Sequence, residues 1–445
     1  MKIREAINYL NSFTDYEKTT GYSYNATYFN LARIKYLLSK LGNPHLEIPS
    51  IHITGTKGKG SVTNLISCIL IYSGLRVGTY TSPHIMTFRE RIKINKKMIT
   101  LKEISSLMDR LKVAIDDLMN NTKYGSPTYF EVYTALAFLY FYVKKVDIMV
   151  LEVGMGGRLD ATNVVNPLVS VITPISLDHT EELGNTLLKI AREKAGIIKK
   201  NTIVVSSYQK PSVTRLIRKV SKEKNCQYLE VGKDIKYKIV KSDINGSKFS
   251  IFGIIGEYRN LSIKLIGEHQ VLNTALAILA VETIYDRFKL KMKKTLRSSI
   301  KNGIKNLILP GRIQILSKKP YIIVDGAHNV ASMRVLKNTL LKHFHYKRFI
   351  LIFGISINKD IKGVTSVISK ISDFIILVKS SNYRAAEPSV IAKFLKHKNY
   401  ICFNNVQEGI NYARKITNKE DLICITGSFY VVYDALRYFR NIRCG

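Results

Sequence analysis

Short apolar segments that are typical of β-strands alternate with helical segments along most of this chain, and the alternation occurs twice. The first series contains the segments SIHITG, RVGTYTS, VDIMVLEVG, PLVSVITPI and NTIVVSS. The second series contains the segments YIIVDGAHN, RFILIFGIS, DFIILVKS, YICFNN and DLICITGS. Strands that alternate with helices favour mostly parallel sheets. The sequence therefore predicts an α/β protein with two such sheets.

The stretch IHITGTKGKGSV at residues 51–62 is predicted to form a phosphate-binding loop at the end of the first strand. Its glycines would let successive backbone N–H groups point at one anion, and the helix that follows adds its positive dipole end. Lys59 supplies a positive charge for a phosphoryl oxygen. A strict Walker A loop would need glycine and a hydroxyl where Ile53 and Gly60 stand. We therefore expect a variant phosphate loop, with the metal-binding hydroxyl elsewhere. The alternative is a glycine-rich turn with solvated lysines.

The two series are separated by NLILPGR at residues 306–312, where proline and glycine are adjacent. A chain of 445 residues is long for a single hydrophobic core. We therefore expect an N-terminal P-loop-type ATPase domain at residues 1–305, a linker at 306–312 and a smaller C-terminal Rossmann-like α/β domain at 313–445. Ligands of such sheets bind at the carboxyl ends of the strands.

The chain is strongly basic, with a net charge of +36 and a pI near 9.8. Such a charge raises the hypothesis of a nucleic-acid partner. The lysines are spread through the whole chain, however, without an arginine-rich tail or an interleaved pattern of aromatic and basic residues. We therefore expect no nucleic-acid partner, whereas anionic small substrates are compatible with the charge.

Cysteine usage and hydropathy bear on the compartment. The five cysteines show no C-x-x-C pair and no metal-ligand spacing, so buried free thiols are expected. The opening residues MKIREAINYL lack the apolar run of a signal peptide. The most apolar stretch, TALAFLYFYV, is too short to span a bilayer. The sequence predicts a cytoplasmic protein with no membrane partner.

Polar side chains follow three of the predicted strands at the edge where ligands are expected. Ser82 follows RVGTYT, Glu152 ends VDIMVLE, and His179 follows SVITPI within SLDHTEELG. Mg²⁺ prefers oxygen ligands, so Ser82 and Glu152 suit it, whereas His179 is a less usual ligand. Each residue also has an ordinary alternative: a turn residue, a helix-capping carboxylate and a core histidine.

Three further groups are noted at strand or helix ends. Lys194 lies in KIAREKAGIIKK, and these residues alone favour a solvated helix face that ends at a glycine cap at Gly196. Asp325 ends a strand of the second series, where a carboxylate suits a ribose hydroxyl. Ser428 ends another strand and is predicted to begin a helix.

Ten motifs, in order along the chain, together resemble those of the folylpolyglutamate synthase/dihydrofolate synthase family within the Mur ligase superfamily. They are LLSKLGNPHLEIPSIHITGTKGKGS, TSPHIMTFRERI, PTYFEVYTALAF, LEVGMGGRLDATN, SLDHTEELG, IAREKAGI, GEHQVLNTALAI, LPGR, VDGAHN and TGSFY. The resemblance covers most of the chain, although residues 205–260 and 360–420 contribute little. Lys57 departs from the asparagine that many members carry, which a cradle made mainly of backbone tolerates.

The resemblance implies an ATP-dependent amide ligase. ATP would phosphorylate the carboxylate of a folate or of dihydropteroate to an acyl phosphate, which the amino group of L-glutamate would attack. Two Mg²⁺ ions would neutralise the γ-phosphate as the carboxylate approaches it. The resemblance also implies a monomer. It leaves open whether the acceptor is dihydropteroate, a folate that already bears glutamate, or both.

Site residues follow from the resemblance, motif by motif. The residues implied to bind ATP are Thr56, Lys57, Gly58, Lys59, Gly60, Ser61, Asn273, Arg312 and Asp325. The implied metal ligands are Ser82, Glu152, His179 and Lys194, the last as a carbamate. The implied catalytic residues are Lys194, Lys59, His179 and Arg91, with Arg91 positioning the acyl phosphate. The implied substrate-binding residues are Phe130 and Glu131 on the pterin side, and His328 and Ser428 for the incoming glutamate.

Three other functions stay open at this point. A Mur-type ligase that adds an amino acid to a UDP-muramyl peptide would share the mechanism. The TSPHI…RERI stretch and the lack of a uridine-nucleotide domain before Ile51 argue against it. A basic nucleic-acid-binding NTPase and a non-catalytic nucleotide sensor are more remote alternatives.

Overall fold

The computed structural model describes residues 1–16, 25, 28–395 and 399–444. The chain divides into two compact units. The first consists of Met1–Val240, Lys248–Ile263 and Gln270–Leu307, and the second consists of Lys241–Ser247, Lys264–His269 and Ile308–Gly445. Two short segments from the first three hundred residues thus belong to the second unit.

An eight-stranded sheet forms the centre of the first unit. Its strands are β1 (Ser50–Thr54), β2 (Val77–Tyr80), β3 (Ile92–Ile94), β4 (Lys97–Met98), β5 (Ile148–Glu152), β6 (Val169–Ile172), β7 (Ile203–Ser206) and β8 (Gln227–Glu230), in the order β4-β3-β2-β5-β1-β6-β7-β8. The pairs from β2 to β8 are parallel, whereas β3 and β4 form an antiparallel edge. The mostly parallel sheet predicted from the alternation is confirmed.

The helices of this unit follow the predicted alternation. They are α1 (Ile3–Asn11), α2 (Leu31–Lys40), α3 (Lys59–Tyr72), α4 (Leu101–Asn121), α5 (Tyr129–Val143), α6 (Thr180–Leu183), α7 (Leu187–Ala195), α8 (Pro211–Glu223), α9 (His269–Glu282), α10 (Tyr285–Phe288) and α11 (Leu296–Lys305). A separate three-stranded sheet contains β9 (Lys236–Asp243), β10 (Gly246–Phe252) and β11 (Glu257–Ile263), in the order β11-β10-β9. Short 3₁₀ helices lie at Phe88–Arg91, Ala161–Val164 and Lys289–Lys291.

The second unit is a smaller α/β sheet, as predicted. Its strands are β12 (Gln314–Lys318), β13 (Tyr321–Val324), β14 (Phe349–Phe353), β15 (Phe374–Val378), β16 (Tyr400–Phe403) and β17 (Leu422–Thr426), in the order β12-β13-β17-β14-β15-β16. Its helices are α12 (Val330–His343), α13 (Ile361–Ile368), α14 (Pro388–Ala392), α15 (Val406–Ile416) and α16 (Phe429–Cys444), with a 3₁₀ turn at Ser369–Ile371. All strand pairs are parallel except β12 with β13. Because β17 lies beside β13, the predicted ligand residues at both strand ends become neighbours.

Cysteine burial and helix hydropathy can be compared with the expectations. Cys68 and Cys424 are buried as expected, but Cys226 is only half-buried and Cys402 is exposed, and the side chain of Cys444 lies outside the described part of the chain. Within residues 1–16, 25, 28–395 and 399–444, no helix has the length and apolar character needed to cross a membrane.

A buried ion pair fixes the start of α5. Arg33 Nε donates to both oxygens of Glu131, at 3.0 and 2.8 Å, and both side chains are below 8% exposed. The Glu131 carboxylate also accepts the backbone N–H of Thr128, which caps the helix. Burial raises the pKa of Glu131, and the Arg33 charge opposes that rise.

Replacing Arg33 by methionine is expected to lower the free energy of unfolding by about 3–5 kcal/mol, because it leaves a buried carboxylate without its partner. The loss should be smaller at pH 5 than at pH 8. The pKa of Glu131 already lies above its unfolded value, and removal of the Arg33 charge lets it rise further, so the variant loses more stability than the unmodified protein as pH rises from the unfolded pKa through the folded one. Urea denaturation at both pH values tests this. The exposed pair Lys112–Asp116 supplies the control, since Lys112→Met should cost no more than about 1 kcal/mol. Equal losses in both variants would contradict the prediction.

Candidate active site

The loop between β1 and α3 has a backbone that requires glycine at two positions. Gly55 has φ +145°, and a Cβ there would lie 1.9 Å from Thr173 Oγ1. Gly58 has φ +83° and occupies the position before the first residue of α3. L-residues with side chains rarely adopt such φ values. The loop at the carboxyl end of β1 therefore has a backbone that depends on these two glycines, and it leads directly into a helix.

The first turn of α3 presents a row of backbone donors. Thr56 and Lys57 donate their N–H groups to the carbonyl of Pro174, at 3.0 and 3.2 Å. In the part of the chain that the structure describes, the N–H groups of residues 58–61 have no acceptor. Four free N–H groups at the positive end of a helix dipole form an anion site. The run of free N–H groups thus begins at Gly58.

Two lysine side chains converge on one oxygen of this loop. Lys59 Nζ and Lys194 Nζ both donate to the carbonyl of Gly55, at 3.2 and 2.8 Å. Lys194 is only 4% exposed. Burial, and secondarily the nearby charge of Lys59, lowers the pKa of Lys194 to about 7. A large fraction of this amine is therefore neutral near physiological pH.

The interpretation of Lys194 from the residues alone, as part of a solvated helix face, is wrong. The side chain projects into the protein instead of into solvent, because α7 ends against the loop that follows β5. Gly196 is also not a left-handed cap, since its φ is −59°. Its lack of a side chain serves close packing: a Cβ there would lie 2.5 Å from Arg158 Cβ.

A carboxylate and a serine lie at the start of α3. Glu152 is 4% exposed, and its oxygens are 3.5 and 3.6 Å from the position that a Cβ on Gly60 would take. The backbone N–H of Ser82 donates to Glu152 Oε2 at 3.2 Å. The structure therefore brings the ends of β2 and β5 together beside the phosphate loop, as the parallel strand order requires.

His179 occupies the segment after β6. It has a left-handed φ of +51°, precedes α6, and keeps its ring 37% exposed, with Nδ1 3.7 Å from Glu182 Oε2. Among the described residues, no three His, Cys, Asp or Glu side chains gather into one metal-binding group. Oxygen donors from serine and glutamate are consistent with Mg²⁺, which usually retains water and phosphate ligands.

Asn273 reaches the phosphate loop from α9. It is 4% exposed, and its Oδ1 lies 2.6 Å from the position that a Cβ on Gly58 would take. Its Nδ2 donates to Gln270 Oε1 at 3.0 Å, which fixes the orientation of the amide. The structure therefore brings Asn273 to the same loop as residues 58–61, although more than two hundred residues separate them in sequence.

The two residues predicted on the pterin side have different environments. The Phe130 ring lies against the chain after β5, with Cζ 2.8 Å from the position that a Cβ on Gly154 would take. Its ring centroid is 5.9 Å from that of Tyr80. Glu131 points the other way, into the ion pair with Arg33. Phe130 thus lies against Gly154, two residues after the end of β5, whereas Glu131 faces the core.

Arg91 is buried, at 1% exposure. Its Nε donates to His84 Nδ1 at 2.9 Å, and its guanidinium lies 5.9 Å from the ring centroids of both Tyr129 and Tyr133. These contacts tie the segment after β2 to the start of α5. The side chain thus lies against aromatic rings. The basic residues of the FRERI segment do not indicate this packing.

The loop at residues 153–164, here called the glycine loop, joins several of these groups. Its Gly154 contacts Phe130, and its Gly157 packs on the carbonyl of Lys194, 3.1 Å from the position of a Cβ. Arg158 N donates to the carbonyl of Glu193 at 2.9 Å. The glycine loop thus sets the end of α7, which carries Lys194.

In the second unit, four predicted residues lie at neighbouring strand ends. Asp325 is 8% exposed and accepts the N–H groups of Ile313 and Ala327, both at 2.9 Å. His328 Nδ1 donates to the carbonyl of Gly326 at 2.8 Å, so the ring carries a proton on Nδ1. The side chains of Asp325 and His328 therefore fix the backbone conformation after β13.

Phe429, at the start of α16, was not identified from the sequence. Arg312 stacks on its ring at 4.6 Å, and the His328 ring lies 5.9 Å away. Ser428 Oγ accepts the N–H of Val431 at 3.1 Å, which confirms the predicted helix start. The aromatic residue in TGSFY was the available signal, because it directly follows the predicted strand.

Comparisons with known proteins follow the same division of the chain. Residues 53–281 match the family model described as the Mur ligase middle domain, and residues 311–429 match the Mur ligase, glutamate ligase domain. The dihydrofolate synthase/folylpolyglutamate synthase of Bacillus subtilis (strain 168) is 32% identical over 427 residues, covering 95% of this chain and 98% of that protein. The folylpolyglutamate synthase of Lacticaseibacillus casei is 32% identical over 432 residues, with 97% of each chain covered.

Solved structures agree with these matches. The folylpolyglutamate synthase of Mycobacterium tuberculosis, complexed with ADP and AMPPCP, superposes with a TM-score of 0.87 at 28% identity, over 98% of each chain. E. coli FolC in complex with DHPP and ADP superposes with a TM-score of 0.86 at 27% identity, over 100% of this chain and 99% of that one.

Proposed function

Because the chain belongs to the folylpolyglutamate synthase/dihydrofolate synthase family of the Mur ligase superfamily, we propose that it is an ATP-dependent ligase that adds L-glutamate to a folate or to dihydropteroate. The observation that carries this proposal is the phosphate loop, with free N–H groups at residues 58–61 and a buried carboxylate beside them. ATP is the co-substrate, consistent with the ADP and AMPPCP complexes of the relatives.

The reaction needs the acceptor carboxylate to become an electrophile. Transfer of the γ-phosphoryl group to a carboxylate oxygen creates an acyl phosphate and releases ADP. The glutamate amine then attacks the acyl carbon, the C–O bond to phosphate breaks, and an amide and inorganic phosphate result. The N–H groups of residues 58–61 and the Lys59 ammonium stabilise charge on the phosphoryl oxygens during the first step.

The donor set of the site fits Mg²⁺. The Ser82 hydroxyl and Glu152 carboxylate would hold one ion, and His179 with a carbamylated Lys194 would hold a second. Bound ions would screen the γ-phosphate from the approaching carboxylate. The missing side chain at Gly60 leaves the face of the Glu152 carboxylate open toward the loop.

The environment of Lys194 supports a carbamate. Reaction with CO₂ requires a neutral amine, and the pKa of Lys194, lowered to about 7, provides it. The carbamate is an anion, so it would attract the Lys59 ammonium. The protonated amine of Lys194 repels that ammonium. Carbamylation would thereby turn an unfavourable buried charge into a metal-supporting group.

The remaining residues divide between the two units. We assign Phe130 to the wall of the acceptor site, with Glu131 holding the start of α5 behind it through Arg33. Burial of Arg91 among tyrosines favours support of the segment after β2 over contact with the acyl phosphate. Asn273 lies at the phosphate loop on the ATP side.

In the second unit, Arg312 and Asp325 are assigned to ATP, and His328 and Ser428 to the incoming glutamate. Arg312 and His328 share the ring of Phe429 as a support. Ser428 caps α16, so its hydroxyl lies at a helix start, where an anionic carboxylate is favoured. A helix N-terminus therefore supports the assignment to glutamate.

The test is incorporation of labelled L-glutamate by purified protein with ATP and Mg²⁺. Dihydropteroate, tetrahydrofolate and a UDP-muramyl peptide are compared as acceptors in parallel reactions. We expect product with at least one pterin acceptor, stoichiometric ADP release, and none with the muramyl peptide. Product only with the muramyl peptide would overturn the proposal in favour of a Mur-type ligase. ATP hydrolysis that depends on added DNA or RNA would favour a nucleic-acid-binding NTPase.

A further inference from the structure

Three buried side chains form a hydrogen-bonded chain from the middle of β1 to the glycine loop. His52 Nε2 lies 2.7 Å from Thr162 Oγ1, and Thr162 Oγ1 donates to Asp160 Oδ1 at 2.5 Å. His52 and Thr162 are 0% exposed, and Asp160 is 5% exposed. All three side chains are buried, so water poorly replaces a hydrogen bond that is lost here.

The available protons determine the direction of each bond. Asp160 Oδ1 accepts the N–H of Thr162 at 3.0 Å, and Oδ2 accepts the N–H of Met155 at 3.0 Å. The Thr162 hydroxyl gives its single proton to Asp160. Its oxygen can then only accept from His52, so the imidazole carries its proton on Nε2. Burial, with a nearby lysine charge, lowers the pKa of His52 to about 3, and the ring stays neutral.

These hydrogen bonds attach the glycine loop to β1. Thr54, on the same face of β1 as His52, donates its hydroxyl to the carbonyl of Gly156 at 2.8 Å. Asp160 closes the loop on itself through its bonds to Met155 and Thr162. The loop held in this way packs on Phe130 at one end and on the backbone of Lys194 at the other.

We propose that His52 is a positioning residue: through Thr162 and Asp160 it holds the glycine loop in the register that places Phe130 and Lys194 for the reaction. The inference rests on the proposed placement of the acceptor beside Phe130 and of the metal-supporting group at Lys194. The phosphate loop and Asn273 are held by other contacts, from Thr56 and Lys57 to the carbonyl of Pro174 and from Asn273 to Gln270. Loss of the His52 bond is therefore expected to affect the acceptor and the chemical step, and to spare ATP binding.

Two pairs of variants isolate the hydrogen bond from the volume of the side chain. His52→Leu and Thr162→Val remove a donor or acceptor, whereas His52→Gln and Thr162→Ser retain one. We expect His52→Leu and Thr162→Val each to raise the KM for the acceptor about 10-fold and lower kcat about 10-fold, the range for a buried bond lost near a reacting centre. The KM for ATP should change by less than about 2-fold, since its contacts are intact. His52→Gln and Thr162→Ser should recover most of both losses.

A double variant tests the connection. If His52 acts through Thr162, the combination His52→Leu/Thr162→Val should be no more impaired than the worse single variant. If the losses of the two single variants multiply in the double variant, the two residues act independently and the proposed connection between them is wrong. An unchanged acceptor KM in both single variants would overturn the proposal. A lower kcat with every KM unchanged would also overturn it, because a smaller folded fraction of the enzyme gives the same result.

Phe130→Ala is the reference that separates this inference from the proposed site. If Phe130→Ala raises the acceptor KM and Thr162→Val does not, the positioning role is wrong. If Phe130→Ala also has no effect, the acceptor lies elsewhere and the site assignment fails. Thermal unfolding is followed for each variant. Should His52→Leu not fold, the shape-conserving Thr162→Val decides the matter.

Discussion

Replacing Lys194 by alanine is expected to reduce kcat by about 10³-fold, with a much smaller change in the KM for ATP, because the variant lacks the carbamate that would hold a Mg²⁺ ion beside the transferred phosphoryl group. The side chain is buried, its Nζ lies 2.8 Å from the Gly55 carbonyl, and its pKa of about 7 leaves a reactive amine. Steady-state kinetics with saturating acceptor and glutamate measures the effect.

Two variants separate the carbamate from other roles of this lysine. Lys194→Arg keeps a cation but has no amine that adds CO₂, so it should be as inactive as Lys194→Ala. Formate or acetate should partly restore the kcat of Lys194→Ala, because a small carboxylate can occupy the space of the missing carbamate. With ¹³C-bicarbonate, the carbamate carbon should give an NMR signal that Lys194→Arg lacks. The exposed Lys189 on the same helix is the control, and Lys189→Ala should keep normal turnover. An active Lys194→Arg enzyme would exclude the carbamate.

Glu152→Gln is expected to have the second largest effect, a fall in kcat of about 10²–10³-fold at ordinary Mg²⁺ concentrations, because an amide lacks the negative charge that would hold Mg²⁺ beside the transferred phosphoryl group. The Glu152 carboxylate lies beside Gly60 and accepts the N–H of Ser82, so the nearly isosteric amide keeps the local packing. A titration of activity with Mg²⁺ should show half-saturation at a higher concentration than in the unmodified enzyme.

The control for charge alone is Glu223→Gln, at the exposed end of α8. It removes one negative charge from the chain without touching the phosphate loop, and its Mg²⁺ titration should match that of the unmodified enzyme. If Glu152→Gln instead retains full activity with an unshifted Mg²⁺ titration, the carboxylate does not hold the ion, and the metal assignment at the end of β5 is wrong.

The features that could be predicted from the sequence depend on local pattern. Alternating apolar strands and helices indicate parallel sheets wherever they occur, and glycine spacing after a strand indicates a phosphate loop. The same local logic placed Ser82 and Glu152 at one edge of the sheet, because carboxyl ends of parallel strands share that edge. The antiparallel strand β12 has no such signal, as it follows a Pro-Gly turn with mixed polarity.

The features that escaped prediction depend on contacts between distant parts of the chain. Lys194 reads as solvated within a polar helix, and only the approach of Gly55, 139 residues away, shows that it is buried. Glu131 and Arg33 are 98 residues apart, and nothing in either motif marks their ion pair. His52 is an ordinary polar residue of a strand until Thr162 is placed beside it. Burial of a polar group is a property of its neighbours, which a single stretch of sequence does not contain.

The division of the chain has a practical consequence for anyone who wishes to produce the second unit alone. The polypeptide passes from one unit to the other five times, because Lys241–Ser247 and Lys264–His269 precede its main portion. Ile266 is 5% exposed in the core of the second unit, and Ile244 packs against that same core. A fragment that begins at Ile308 would therefore have an uncovered apolar surface and a tendency to aggregate, whereas a fusion that supplies both segments through linkers would keep its interior filled.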